Sequence, residues 1–136
     1  MNIAWDDSLS SGIEEIDSQH KEFIRLVQRL HILQEKRSSK DFTLRILNEL
    51  VKYAEYHFTS EENLMFVTRC PLMEQQQFEH KKLLRALNYR ISAFEDGSET
   101  LGSLISFLTS WLLSHTKEED TKIGKYLNSL TANAGT

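Results

Sequence analysis

Four segments of the sequence carry apolar residues at steps of three and four, the spacing that forms one face of an α-helix. The stripes contain, in chain order, Ile16, Phe23, Val27 and Leu30; Ile46, Leu50 and Tyr53; Met73, Leu83, Leu87, Ile91 and Phe94; and Leu101, Leu104, Leu108, Trp111, Ile123, Tyr126 and Leu127. A strand-rich fold needs many tight turns, and one proline and five glycines in 136 residues disfavour it. The pattern therefore predicts an all-α fold.

Polar and turn-forming residues separate the four stripes. The breaks fall at Lys36–Ser39, at Arg69–Pro71 and at Asp96–Ser98. We predict an N-terminal arm followed by four helices, over residues 1–16, 17–37, 41–67, 72–96 and 99–130. Four amphipathic helices of this length with short connections predict an up-down-up-down four-helix bundle, formed by a single domain over residues 1–136.

Composition and charge exclude several classes of partner. The net charge of −4 provides no basic surface for nucleic acid or an anionic membrane. The most apolar run, Leu101–Leu113, is too short to span a bilayer. No signal peptide is visible at the start, and the single cysteine, Cys70, cannot form an internal disulfide. We therefore expect a cytoplasmic protein with no nucleic-acid or membrane partner.

Each helical stripe is interrupted by a histidine. These residues are His20, His57, His80 and His115, and Glu61 lies one helical turn after His57 on the same face. A single histidine on an apolar face is usually satisfied by a hydrogen bond. Four of them, one from each helix, are difficult to satisfy in that way, because buried polar groups need partners. The pattern favours a metal site inside the bundle.

The same residues lie in longer runs that resemble a known family. The runs are Trp5; Gly12–Lys21, which ends in Gln19-His20-Lys21; His57–Met65; Glu79-His80; and Trp111 with His115 and Asp120. In these runs the chain resembles the bacterial hemerythrins, which are oxygen-binding, non-haem di-iron proteins.

The resemblance implies two iron ions bridged by Glu61, Asp120 and an oxo or hydroxo group. One iron would be bound by His20 and His57 and would keep an open position for O2, NO or a small anion. The other iron takes three histidines in the family, and His80 and His115 provide two of them. We expect the ligand pocket to be walled by Phe23, Ile24, Phe58, Trp111 and Leu112.

Gln76 stands where the family has the third histidine of the second iron. A glutamine amide oxygen is a poor iron ligand beside an imidazole, although it can coordinate weakly or hold a water. We therefore expect a vacant or water-filled position at this iron, a more open site and faster oxidation in air. The alternative is that Gln76 simply replaces the histidine as a ligand.

The fourth helix offers two carboxylates near His115. Glu119 is four residues on and would share its face, whereas the resemblance selects Asp120, which is about 140° away on an ideal α-helix. We predict that Asp120 is the ligand, that a local widening of the helix turns it inward, and that Glu118 and Glu119 are solvated.

Three functions are compatible with such a site. The Gln76 departure favours a sensor of oxygen, nitric oxide or redox state, signalling to a partner protein or output domain. Hemerythrin-like domains occur fused to diguanylate cyclases and chemotaxis receptors, so the resemblance permits this chain to be the N-terminal part of a signalling protein. A stand-alone oxygen carrier or store is the alternative. A di-iron enzyme is disfavoured because the chain has no Glu-x-x-His motif, and we expect a binding module.

Overall fold

The computed structural model describes the backbone of residues 3–134 and the side chains of residues 3–118 and 120–130. After a short 3₁₀ turn at Asp7–Leu9, the helices are α1 (Glu14–Glu35), α2 (Lys40–Val67), α3 (Met73–Asp96), α4 (Leu101–Ser114) and α5 (Asp120–Ala134). A π-helical turn, His115–Glu119, joins α4 to α5, so that the three form one continuous fourth helical rod. The all-α class is confirmed.

Helix ends follow local capping chemistry. The Ser39 hydroxyl accepts a hydrogen bond from the Phe42 N–H at the start of α2, and Thr100 accepts one from Ser103 at the start of α4. Gly97 ends α3 with φ = 89°, a left-handed conformation that favours glycine. The first helix starts three residues earlier than predicted, because its hydrogen bonding begins at the Ile13 carbonyl, which accepts from Asp17.

Contacts between neighbouring helices show that they run antiparallel. Between α1 and α2, Gln19 contacts Ser60 near one end and Arg29 contacts Glu49 near the other, so residue numbers rise on one helix as they fall on the other. The same relation holds between α2 and α3, where Gln77 bonds Glu62 and Lys40 bonds the Glu95 carbonyl. The up-down-up-down bundle is confirmed.

Two apolar clusters lie on either side of a polar layer. The larger cluster contains Phe23, Phe58 and Leu112, and the smaller one contains Ile16, Met65, Cys70, Ile123 and Leu127. On the first, second and fourth helical rods, the predicted site residues fall in sequence between members of the two clusters. The helical spacing therefore places the polar residues in one layer across the bundle.

An N-terminal arm is tied to the bundle by one carboxylate. Asp17 accepts hydrogen bonds from the Ser10 hydroxyl at 2.5 Å and from the Ser11 N–H and hydroxyl at 2.7 and 2.8 Å. The arm buries Ile3 and Leu9 in the larger apolar cluster. It passes so close to α5 that a Cβ atom on Gly124 would lie 1.9 Å from the Ser11 carbonyl oxygen.

Within residues 3–134, no helix combines the length and the apolar character needed to cross a membrane.

The close approach of the arm to Gly124 predicts an unusual response to alanine. Alanine is favoured over glycine in a helix by up to about 1 kcal/mol, but at residue 124 it must displace the Ser11 backbone. We expect Gly124→Ala to lower the free energy of unfolding by about 1–3 kcal/mol, as overpacking usually does. Urea denaturation monitored by circular dichroism measures it.

Gly102→Ala is the matched control for this prediction. Its Cβ would meet the end of the flexible Gln34 side chain, 2.9 Å away, which can move, and would lie 4.0 Å from the Thr100 hydroxyl, an ordinary contact. We expect this variant to be neutral or slightly stabilised. Equal stability changes in the two variants would contradict the proposed contact.

Candidate metal centre

Five ligand atoms meet in the polar layer of the bundle. They belong to His20, His57, Glu61, His115 and Asp120, and all lie within 4.8 Å of one another. Each of the five residues is buried. They come from three of the four helical rods, so the cluster exists only when those rods pack together.

The two carboxylates lie between two groups of histidines. The Glu61 Oε1 atom is 3.0 Å from the His57 Nε2 atom, 3.2 Å from that of His115 and 3.6 Å from that of His80. Asp120 contacts the His20 Nε2 atom through one oxygen, and its other oxygen is 3.0 Å from the His115 Nε2 atom. Each carboxylate therefore contacts one of His20 and His57 and at least one of His80 and His115, Glu61 through Oε1 alone and Asp120 through both oxygens.

The π-helical turn gives the fourth rod its two inward side chains. The Asp120 N–H bonds the His115 carbonyl, five residues earlier, instead of the carbonyl four residues earlier. This wider turn brings Asp120 round to the same side as His115, so that both are buried, while Glu118 is exposed. The predicted widening is confirmed, and π turns of this kind often occur at functional sites. The Glu119 side chain lies outside the described part of the chain.

His80 and Gln76 extend the layer to α3. His80 is 2% exposed, and its ring stacks on Phe58 with centroids 4.1 Å apart. Gln76, one helical turn before His80, is 1% exposed. The structure thus places Gln76 in the bundle interior on the histidine-bearing face of α3, as the sequence spacing implied.

Three of the predicted wall residues, Phe23, Phe58 and Trp111, contact imidazoles of the layer. Phe23, Ile24, Phe58 and Leu112 are buried, and Trp111 is partly buried. The Trp111 ring stacks on His115 with centroids 4.8 Å apart. On the protein surface, Trp111 also lines a hollow of about 220 Å³ together with Leu83 and Phe107.

Several buried atoms of the layer make no hydrogen bond to the described part of the protein. They are both ring nitrogens of His20, the Nε2 atoms of His57 and His80, Oε2 of Glu61 and both carboxylate oxygens of Asp120. Some of them lie close to one another, as the Asp120 oxygens lie close to His20 and His115, but they make no well-formed hydrogen bond. Buried polar atoms without a hydrogen bond are costly and rare. Imidazole nitrogens and carboxylate oxygens are donors for several transition metals, iron among them, so the residues fit a bound metal centre, including one of iron.

Burial and mutual charge shift the pKa values in opposite directions. Burial acts to raise the pKa of Glu61, but the charges of His57 and His115 outweigh it and hold that pKa well below its usual range. Burial acts to lower the pKa of His115, but Asp120 and Glu61 raise it well above 6.5. The pKa of His80 is lowered, mainly by burial.

Two residues that the sequence reasoning missed orient the histidines. Gln19 Oε1 lies 2.7 Å from His57 Nδ1, and Glu62 Oε2 lies 2.8 Å from His80 Nδ1. The only signal in the sequence was their position, next to His20 and Glu61. Which histidine each one reaches depends on the antiparallel register of the helices.

Comparison with known proteins finds relatives whose similarity covers most of the chain. The family model of the hemerythrin HHE cation binding domain matches residues 11–127. A bacteriohemerythrin of Pseudomonas aeruginosa is 29% identical over 120 residues, which cover 88% of this chain and 77% of the relative. A bacteriohemerythrin of Clostridium acetobutylicum is 23% identical over 123 residues, which cover 87% of this chain and 95% of the relative.

A solved structure has the same fold. The crystal structure of a wild-type hemerythrin superposes with a TM-score of 0.83 at 24% sequence identity. The superposition covers 92% of this chain and 97% of that one.

The raised pKa of His115 predicts that metal binding releases a proton. Coordination through its Nε2 atom needs a neutral imidazole, whereas the metal-free site holds this imidazole protonated at pH 7. We expect Zn²⁺, used as a probe, to release about one proton more per chain from the wild type than from His115→Gln. Isothermal titration in buffers of different ionisation enthalpy measures the release.

His31→Gln is the control, because His31 lies outside the cluster. It should release as many protons as the wild type. The prediction is wrong if His115→Gln does the same.

Proposed function

Because the chain belongs to the hemerythrin family of HHE cation binding domains, we propose that its buried cluster holds two iron ions and binds a small diatomic ligand such as O2 or NO. The observation that carries the proposal is the position of the two carboxylates. Glu61 contacts His57, His80 and His115 through Oε1, and Asp120 contacts His20 and His115 through its two oxygens, so each acid touches histidines of both proposed ligand sets. A carboxylate in that position can bridge two metal ions.

The ligand sets follow from this arrangement. His20 and His57 would hold one iron, and His80 and His115 would hold the other, with Glu61 and Asp120 shared between them. Gln76 would be a weak ligand of the second iron or would hold a water there. When bound, the iron pair supplies the electrons and the open coordination position that reversible binding of a diatomic molecule needs.

The protein contributes orientation and the exclusion of water. The stacking of His80 on Phe58 and of His115 on Trp111 restricts the two imidazole planes. The buried side chains of Phe23 and Leu112 form an apolar wall on the larger-cluster side. Such a wall limits solvent access to a metal site and tunes its chemistry.

We propose sensing as the role, because of Gln76. A weaker donor at the second iron leaves that iron more open to water and small anions, and we expect this to speed oxidation in air. Rapid oxidation suits a protein that reports oxygen or redox state to a partner protein or a fused output domain. Storage is the alternative, and the apolar wall favours it, because it protects a reduced site from water.

Binding is preferred to catalysis because of the donor set. Di-iron carboxylate enzymes built in helix bundles use four carboxylates with Glu-x-x-His motifs. Here imidazoles outnumber carboxylates in the described cluster, with Glu61 and Asp120 as its two acids.

The first test is the iron content. We expect two irons per chain in the wild type, and at least a tenfold loss of iron affinity in Asp120→Asn, because an amide cannot bridge two cations as a carboxylate can. Elemental analysis after dialysis against a chelator measures the loss. Glu118→Gln removes an exposed charge two residues away and should keep both irons. Equal iron retention in the two variants would contradict the role of Asp120.

The second test separates sensing from storage. Gln76→His completes the three-histidine set, and we expect the diferrous protein to oxidise in air about tenfold more slowly than the wild type. Stopped-flow absorption after mixing with oxygenated buffer measures the rate. Gln75→His adds an exposed histidine next to it and should oxidise like the wild type. A diferrous wild type that survives in air as long as Gln76→His would favour storage.

A further inference from the structure

The outer nitrogens of His57 and His80 contact acceptors of different charge. The outer ring nitrogen, Nδ1, of His57 meets an amide, and that of His80 meets a carboxylate. These two histidines belong to different iron ions in the ligand sets proposed above. The hydrogen bonds around the site are therefore electrically asymmetric.

Gln19 orients His57 without charge. Its Oε1 atom accepts the His57 Nδ1–H at 2.7 Å, and its Nε2 atom donates to the Ser60 hydroxyl at 2.9 Å. In this arrangement the amide nitrogen is bonded to Ser60, and the amide oxygen points at the ring. With Nδ1 protonated, the Nε2 atom of His57 is directed at Glu61, 3.0 Å away.

Glu62 orients His80 with a charge. Its Oε2 atom accepts the His80 Nδ1–H at 2.8 Å, and its Oε1 atom accepts from Gln77 Nε2 at 3.2 Å. The Glu62 side chain is 24% exposed, whereas that of His80 is 2% exposed. The bond to Glu62 and the stack on Phe58 together hold the ring with Nε2 towards Glu61.

A carboxylate acceptor increases the strength with which the imidazole that hydrogen-bonds to it can bind a metal. Hydrogen bonds to ionised acceptors are roughly twice as strong as neutral ones. They also make the opposite ring nitrogen a stronger metal donor. His80 is therefore the more strongly donating ligand of the pair, and it lies on the same helix as Gln76, which is the weakest donor of the set.

We propose that Glu62 is a positioning residue that strengthens His80 and so offsets the weak donor at Gln76. This inference rests on the proposed function. The negative charge of Glu62 stabilises the ferric state of the second iron more than the ferrous state, and it thereby lowers the reduction potential of that iron. Gln19 provides the neutral counterpart at the first iron.

The exchange of the two acceptors tests the proposal. Glu62→Gln keeps a hydrogen-bonding side chain of the same size and removes the charge. We expect about a tenfold loss of affinity for the second iron in chelator competition. If the affinity for ferric iron falls tenfold more than the affinity for ferrous iron, the reduction potential of the second iron rises by about 59 mV. Glu55→Gln, an exposed position on the same helix, should change neither quantity.

Two further variants distinguish the effect of a charge placed beside one histidine from the effect of the net charge of the site. Gln19→Glu places a charged acceptor at His57 and should lower the potential. The double variant Gln19→Glu/Glu62→Gln has the wild-type net charge, and we expect it to bind its second iron as weakly as Glu62→Gln does. Wild-type iron affinity and potential in the double variant would overturn the proposal, because overall charge alone would then explain the effect. Wild-type values in Glu62→Gln would overturn it too, because Glu62 would then act only through shape.

A measurement on the metal-free protein is independent of the iron chemistry. The proton NMR signal of His80 Nδ1–H should be protected from exchange in the wild type, shifted upfield in Glu62→Gln and lost to exchange in Glu62→Leu. An unchanged signal in Glu62→Leu would overturn the contact itself. A wild type that binds no iron but shows these shifts would instead overturn only the proposed function.

Discussion

The burial of four imidazoles and two carboxylates in one layer is the constraint on which the rest of the structure depends. Glu61 is 1% exposed and Asp120 is 0% exposed, and an isolated buried charge costs several kcal/mol. The histidines reduce this cost, because they hold the pKa of Glu61 well below its usual range. Several nitrogens and oxygens of the layer still make no hydrogen bond. Metal ions would satisfy most of these atoms, so the arrangement that destabilises the metal-free fold also favours the binding of a cation.

Two local irregularities of the chain lie next to this layer, the π turn and the close approach of the N-terminal arm to Gly124. An uninterrupted α-helix would turn Asp120 about 140° away from His115, and the π turn brings both inward. The arm is held at Asp17, three residues before His20, and it passes over Gly124, four residues after Asp120. The arm therefore packs against the first and fourth helical rods about one helical turn from His20 and Asp120. The π turn is explained by the two inward side chains of the polar layer, and the glycine by the backbone of the arm that passes against it.

The site is asymmetric in two ways that act on the same half. In the proposed ligand sets, Gln76 would weaken the donors on α3, and Glu62 provides a charged acceptor behind His80 on that helix. The other half has the neutral Gln19 behind His57. An iron with a vacant or weakly filled position but a strongly donating imidazole can bind exogenous ligands without losing the metal. This combination is the reason that we propose sensing as the role.

The sequence by itself determined the helices, the fold class and which histidines face inward, because an α-helix repeats locally every 3.6 residues and its apolar stripe can be read from neighbouring residues. It also singled out Gln76 as the departure from the family pattern. Spacing alone could not choose between Glu119 and Asp120, since the choice depends on a π turn. Nor could it show that Gln19 reaches His57 and Glu62 reaches His80. Those contacts join residues 38 and 18 positions apart, and only the register between packed helices brings such distant positions within hydrogen-bonding distance.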